Sequence, residues 1–209
     1  MKKTSDKVIR RLIIYRKLLN YLKYNGVTNI FSHKLAALVG STPQQVRSDL
    51  MIIGYNGNPV RGYDVDELEK SISKFLDNPK GQRIAIFGLG SLGTSIMQFC
   101  YWQSHNLSQI IAFDNDPDKI GKTFHSCKCF DIANLEKVIK EFDIEIAILT
   151  LPAEIAQEIT DRIVLAGIKG IMNYAPIRLH VPDNISLEDM DMMLALERVE
   201  YFTKIYSSK

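Results

Sequence analysis

Apolar residues near the start of the chain recur at helical spacing. Val8, Ile9, Leu12, Ile13, Leu18, Leu19 and Leu22 form one stripe, and Gly26 ends it. A second helix is predicted over Lys34–Val39, with Ser32 as its N-cap and Gly40 as the tight turn after it. Thr42-Pro43 opens a third, Pro43–Ile52, because a threonine caps well and proline at the first helical position loses no needed N–H. This helix turns Val46, Leu50 and Ile53 inward and Gln44, Gln45, Arg47 and Ser48 outward. Helix, glycine turn and proline-started helix make the helix-turn-helix pattern, which ordinary helical hairpins also share. Gly54, Asn56-Gly57-Asn58-Pro59 and Gly62 then mark a hairpin wing carrying Arg61, and Asp64 caps a last helix with Glu67 three residues on.

At Asp77-Asn78-Pro79-Lys80-Gly81 the pattern breaks, and short apolar runs replace the helical stripe. Arg83–Phe87 reads as a buried strand running into Gly88-Leu89-Gly90-Ser91-Leu92-Gly93 and an apolar helix with Ile96, Met97, Phe99 and Cys100. A strand at Gln109–Phe113, a helix at Asp131–Phe142, a strand at Ile144–Leu149, a helix at Pro152–Ala166 and a strand at Gly170–Asn173 follow. Alternation of this kind predicts an α/β fold with a doubly wound parallel sheet. The expected domains are 1–78, 82–186 and a terminal helical segment 187–209. Met190–Tyr206 has an apolar face (Met193, Leu194, Leu196, Val199, Phe202, Tyr206), and a second subunit is the economical cover for it.

The glycine loop sits between strand and helix, and Asp114 ends the next strand 21 residues past Gly93. That is the dinucleotide-binding fingerprint. Gly88 serves the tight turn, Gly90 lets the backbone approach a pyrophosphate, and Gly93 lets the helix pack on the sheet. Asp114 can accept from ribose hydroxyls and would repel a 2′-phosphate, favouring NAD(H) over NADP(H). It can also simply cap the turn Asp114-Asn115-Asp116-Pro117. Thr150-Leu151-Pro152 and Asn173-Tyr174-Ala175-Pro176 fall at carboxyl ends of strands, where open parallel sheets bind ligands, although both prolines suit plain loops.

Charge sharpens the first part of this picture. Of the 209 residues, 46% are hydrophobic and the net charge is +2, but residues 1–61 carry +9 and the remaining 148 carry −7. A basic module on an acidic remainder suggests double-stranded DNA as a partner; an ordinary solvated surface is the alternative. Gln pairs with adenine edges and Arg with guanine O6/N7, while Arg61 would reach phosphates or the neighbouring groove. No run approaches the roughly 18 apolar residues of a membrane span, and the start of the chain does not read as a secretion signal. A cytoplasmic location without membrane contact is expected. Cys100, Cys127 and Cys129 suit neither a disulfide framework nor a zinc site, and no metal is expected. His33, His105, His125 and His180 show no catalytic spacing, so no catalytic residue and no enzyme is expected.

Together, Arg11-Leu12, Tyr15, Gln45-Val46-Arg47-Ser48-Asp49-Leu50, the glycine loop, Phe113–Gly121, Ile148–Ala153 and the run Ala166–Pro176 resemble the Rex family of redox-sensing transcriptional repressors. The resemblance implies a homodimer with an N-terminal winged helix-turn-helix domain, a C-terminal Rossmann domain and a terminal helix swapped between subunits. It implies binding to palindromic operators, release by NADH, and competition by NAD⁺. The expected cofactor-binding residues are Gly88, Leu89, Gly90, Ser91, Leu92, Gly93, Asp114, Asn115, Lys119, Thr150, Leu151, Pro152, Asn173, Tyr174, Ala175 and Pro176. Those expected at DNA are Ser41, Thr42, Gln44, Gln45, Arg47, Ser48, Asn58 and Arg61. A polar relay and dimer contact is expected around Lys17, Phe99, Asp191 and Met192. Here the chain departs from the family, which usually carries Arg at Lys17, Tyr at Phe99 and an aromatic at Met192. Its wing, Asn58-Pro59-Val60-Arg61, lacks the usual basic residue followed by glycine, Ser48 replaces a common Lys, and Ile52-Ile53 replaces an aromatic pair. A Rex paralogue with a different operator or redox response is therefore the alternative, and an NAD-dependent oxidoreductase a more distant one.

Overall fold

A computed structural model describes residues 4–103 and 107–207, which leaves His105 outside the described residues. The chain divides into two compact units, Met1–Pro79 and Lys80–Lys209. The first contains α1 (Asp6–Tyr24), β1 (Asn29–Ile30), α2 (Ser32–Val39), α3 (Pro43–Ile52), β2 (Tyr63–Asp64) and α4 (Val65–Leu76). From α1, Val8, Leu12, Tyr15 and Leu19 enter a core with Leu35, Val46, Leu50, Leu68 and Ile72. Ile30 pairs with Tyr63 across the two short antiparallel strands.

Two of the expected caps are present. Thr42 Oγ1 accepts from Gln45 N at 3.2 Å, and Asp64 Oδ1 accepts from Glu67 N at 2.9 Å. Ser32 does not cap. Phe31 occupies that position in extended conformation, continuing β1, so α2 starts at Ser32 rather than at Lys34.

The second unit contains β3 (Gln82–Phe87), α5 (Ser91–Gln103), β4 (Leu107–Asp114), β5 (Thr123–Phe124), β6 (Cys127–Asp131), a 3₁₀ turn (Ile132–Asn134) and α6 (Leu135–Glu141). It continues with β7 (Ile146–Leu149), α7 (Ala153–Ala166), β8 (Gly170–Asn173), β9 (Ser186–Asp189) and α8 (Met192–Ser207). The sheet order is β5-β6-β4-β3-β7-β8-β9, and all pairs are parallel except β5 with β6. Strand progression reverses at β3, with β4 on one side and β7 on the other, which makes the fold doubly wound. Alternation along β3 serves two layers. Ile84 and Ile86 pack with Met97, Cys127 and Cys129, while Ala85 and Phe87 pack with residues of α6 and α7. Phe87 stacks on Phe113 with ring centroids 4.7 Å apart.

The predicted helix Asp131–Phe142 needs correction. Asp131 ends β6 and its Oδ1 accepts from Ala133 N at 2.8 Å, so the α-helix begins only at Leu135. Cys127-Lys128-Cys129 is a period-two pattern with both cysteines inward, which makes it a strand. Burial pushes the Cys127 thiol up to about 12 and the Cys129 thiol to about 11, so both stay protonated and inert.

Candidate functional site

The glycine loop is tightly packed at two of its glycines. Gly88 lies at φ +93°, and a Cβ there would stand 2.8 Å from Thr150 O. A Cβ at Gly93 would lie 1.9 Å from Gly88 O and 2.7 Å from Thr150 Oγ1. The Thr150 hydroxyl donates between Gly88 O at 2.7 Å and Phe87 O at 3.0 Å, pinning the end of β7 to the loop. Gly90 is different. It is exposed, and nothing lies within 4 Å of where its Cβ would be. The first N–H groups of α5 have no intrahelical acceptor, and they open beside Gly90 at the carboxyl end of β3, next to that of its parallel neighbour β7. A pyrophosphate fits such a cradle, and a side chain at Gly90 would take up its space.

Asp114 stands beside the cradle and is only 6% exposed. Its Oδ2 accepts from Leu89 N at 2.7 Å and from Lys119 Nζ at 3.1 Å; its Oδ1 accepts from Asp116 N at 3.0 Å. Burial alone would raise its pKa, but the Asp116 and Leu89 N–H groups and then Lys119 outweigh that and hold it below the usual value. The carboxylate therefore caps the turn and also braces the glycine loop.

Asn115 beside it is exposed. Leu151 and Ala175 are buried, Tyr174 is half-buried, and Pro152 and Pro176 are exposed. Asn173 is buried with three bonds to its amide: Nδ2 donates to Ile177 O and Asp189 Oδ1, each at 2.9 Å, and Oδ1 accepts from Ala175 N at 2.9 Å. It shapes the loop after β8, and both of its N–H donors are taken. The loops after β3, β4, β7 and β8 share one edge of the sheet.

In the first unit, α3 exposes Gln44, Arg47 and Ser48. Gln45 faces inward in part and donates to Asp49 Oδ1 at 3.0 Å. Asp49 was not foreseen in the core, yet it is 0% exposed. Arg11 holds it through Nε at 2.6 Å and Nη2 at 2.7 Å, and Tyr15 OH donates at 2.9 Å. Burial raises the Asp49 pKa, but the bonds from Arg11, Tyr15 and Gln45 prevail and lower it overall. Arg11 and Tyr15, one turn apart on α1, were the available signal for it.

Arg47 Nη1 donates to Ser32 Oγ at 3.2 Å, beside a groove of about 330 Å³ between α3 and the wing, lined by Phe31, Met51, Tyr55, Pro59 and Tyr63. Asn58 and Gly62 close the wing by backbone bonds of 2.7 and 2.8 Å. Asn58 Oδ1 accepts from Val60 N and Arg61 N, so that oxygen serves the turn, and Pro59, Val60 (83% exposed) and Arg61 project. Thr42 Oγ1 is engaged as the α3 cap, and Ser41 is half-buried.

Lys17 is exposed on α1. Phe99 is 66% exposed on α5, Met192 begins α8, and Asp191 Oδ1 accepts from Leu194 N at 2.9 Å as the α8 cap. Among the described residues no helix is long and apolar enough to cross a membrane, and no group of three or more His, Cys, Asp or Glu is arranged to hold a metal.

A family model described as "CoA binding domain" matches residues 79–177, and one described as "Putative DNA-binding protein N-terminus" matches residues 3–50. The redox-sensing transcriptional repressor Rex of Anoxybacillus flavithermus is 35% identical over 207 residues, covering 99% of this chain and 97% of that protein. The chain belongs to the Rex family. The Rex of Bacillus licheniformis is 34% identical, covering 98% of this chain and 95% of its own length. Among solved structures, the Rex-family repressor RSP in complex with β-NAD⁺ and operator DNA superposes with a TM-score of 0.90 at 34% identity, covering 99% of this chain and 95% of that one. RSP in complex with β-NADH superposes with a TM-score of 0.86 at 33% identity, covering 99% and 97%.

Proposed function

We propose that this chain is a homodimeric transcriptional repressor that binds a palindromic operator and leaves it when NADH enters the glycine-loop crevice, with NAD⁺ competing there. The observation that carries the reading is the pairing, in one chain, of an open cradle at Gly90 beside Asp114 with a basic unit whose α3 exposes Gln44, Arg47 and Ser48. RSP, alike over 99% of this chain, was captured both with β-NAD⁺ and operator DNA and with β-NADH.

Gly88–Gly93 and the first turn of α5 hold the pyrophosphate; Asp114, Asn115 and Lys119 face the ribose. Thr150, Leu151, Pro152, Tyr174, Ala175 and Pro176 wall the nicotinamide side, with Asn173 bracing that loop. The nicotinamide ring supplies the redox difference that is read. Among the described residues of the crevice, three donors hold the Asp114 carboxylate and burial raises the Tyr174 phenol, which suits binding rather than proton exchange. The chain binds the nucleotide without turning it over, in the cytoplasm where that pool meets chromosomal DNA.

Ser41, Thr42, Gln44, Arg47, Ser48 and Arg61 face the operator. Dimerisation covers the apolar side chains that α8 leaves exposed, including Leu194, Val199, Phe202 and Tyr206. NADH favours a dimer whose recognition helices no longer match half-sites one helical turn apart. A hundredfold loss of operator affinity needs about 2.7 kcal/mol of coupling, within the ordinary allosteric range.

Phe99 and the wing favour a second reading, a paralogue with altered target or response. Phe99 has no hydroxyl for a relay, and Pro59-Val60 replaces a basic tip. Fluorescence anisotropy of a Rex-type palindrome at fixed salt, titrated with protein, then NADH, then NAD⁺, tests both. Specific binding released by NADH alone is expected. No specific binding, with NADH still bound by calorimetry, establishes the paralogue instead.

A further inference from the structure

The turn after β4 holds more charge than ribose recognition by a single carboxylate requires. Asp114 offers four lone-pair sites and fills three of them internally, so one remains for a ribose hydroxyl rather than two for a chelated diol. Beside it, Lys119 Nζ lies 3.1 Å from Asp114 Oδ2 and 3.4 Å from Asp116 Oδ2. The ammonium has three N–H donors, two of which point at these carboxylates. Its position is set by the backbone: Asp116 O accepts from Lys119 N at 2.9 Å and from Ile120 N at 3.1 Å, and Asp118 N donates to Asp116 Oδ1 at 2.9 Å. The Lys119 side chain is 31% exposed and that of Asp116 40%, so both reach the solvent side of the turn while Asp114 does not.

A hydroxyl both donates and accepts. The free lone pair of Asp114 and the third donor of Lys119 match those two capacities. A 2′-phosphate only accepts, and it meets a cluster whose charge is −1: two carboxylates and one ammonium.

We infer that the discrimination between NADH and its 2′-phosphorylated counterpart is set by the Asp114–Lys119–Asp116 triad as a whole, with Lys119 reading the ribose directly and Asp116, which does not touch it, tuning the charge. This rests on the crevice being a dinucleotide site. It makes two neighbours of Asp114 specificity determinants in opposite senses. Removing Lys119 takes the cluster to −2 and removes the donor; neutralising Asp116 takes it to zero.

Calorimetric titration of the full chain with NADH and with NADPH reads this as the ratio of the two Kd values. NADPH binds the unaltered chain more weakly than NADH. In Asp116→Asn the ratio is expected to narrow by about fivefold, and in Lys119→Met to widen by about fivefold, as for one unit charge at several ångströms in a partly hydrated site. A role confined to holding the turn would weaken both nucleotides alike and leave the ratio within twofold of its original value. That result, or shifts in the reverse senses, overturns the inference while NADH binding stands. An unaltered chain that binds neither nucleotide overturns the dinucleotide site itself and this inference with it. Melting curves of both variants report folding, and Asp116→Asn alone decides the matter if Lys119→Met fails to fold.

Discussion

Each unit of the molecule buries an aspartate, and the two are built to different ends. Asp49 takes four bonds, all from side chains: two from Arg11 and one each from Tyr15 and Gln45. It ties α3 to α1 and is wholly shielded from solvent. Asp114 takes three, two of them from backbone N–H groups of the loops it stands between and one from a lysine at the solvent edge. One is a strut between α3 and α1; the other braces the glycine loop beside the open space at Gly90. Burial, bonding and lowered pKa are common to both. What separates the two is the open space at Gly90 and the origin of the donors.

The comparison is broken most forcefully by Asp49→Ala. Leaving the Arg11 guanidinium and Tyr15 hydroxyl without their partner should cost about 3–5 kcal/mol, read as an earlier urea transition of the first unit, with NADH affinity retained. Unchanged stability would show that the strut is dispensable. Gly93→Ala comes next. Its Cβ meets Gly88 O at 1.9 Å, so the loop must shift, and we expect a lower melting temperature together with about hundredfold weaker NADH binding in calorimetry. Gly90→Ala sharpens the contrast: with nothing within 4 Å, the melting temperature should hold while NADH binding weakens about tenfold. Full affinity in that variant would move the pyrophosphate elsewhere.

Acid gives the smallest effect. Both aspartates have folded pKa values below the ordinary value near 3.8, so their stabilisation is complete above that pH and is lost as pH falls through the folded values. Stability should therefore be flat from neutrality to about pH 5 and decline below about pH 4. Asp49→Asn should flatten that decline for the first unit only, as followed by urea titration at each pH.

What could be read from the sequence was local. The α1 stripe, the caps at Thr42 and Asp64, the glycine crossover and the bounds of β8 are all signalled within a few residues. The β5–β6 hairpin was not, because its turn places His125 and Ser126 in left-handed conformations at φ 47° and 68° without the Gly or Asn that usually marks one. Strand β9, Ser-Leu-Glu-Asp at the sheet edge, has too little apolar content to stand out. The role of Asp49 depends on Arg11, 38 residues away, and an acid at an inward helical position contradicts the periodicity that defines the core. Asn58, Gln45 and Asn173 are expected at ligands from their places on the wing, on α3 and at the end of β8, and the fold also bonds each within the chain. Most of those partners lie within four residues, and only Asp189, 16 residues from Asn173, is brought in by the fold.

The crossing at Gly93 also constrains how such a chain can change over generations. Its forbidden contact is with a backbone oxygen, so no substitution elsewhere makes room for a side chain, and the glycine is held there whether or not a nucleotide ever binds. At Gly90 the fold imposes no such limit, so only a bound nucleotide would restrain it. In a lineage that abandoned the nucleotide, drift would erode Gly90 and leave Gly93 intact, so that the two glycines, compared across descendants, would record when the site fell silent.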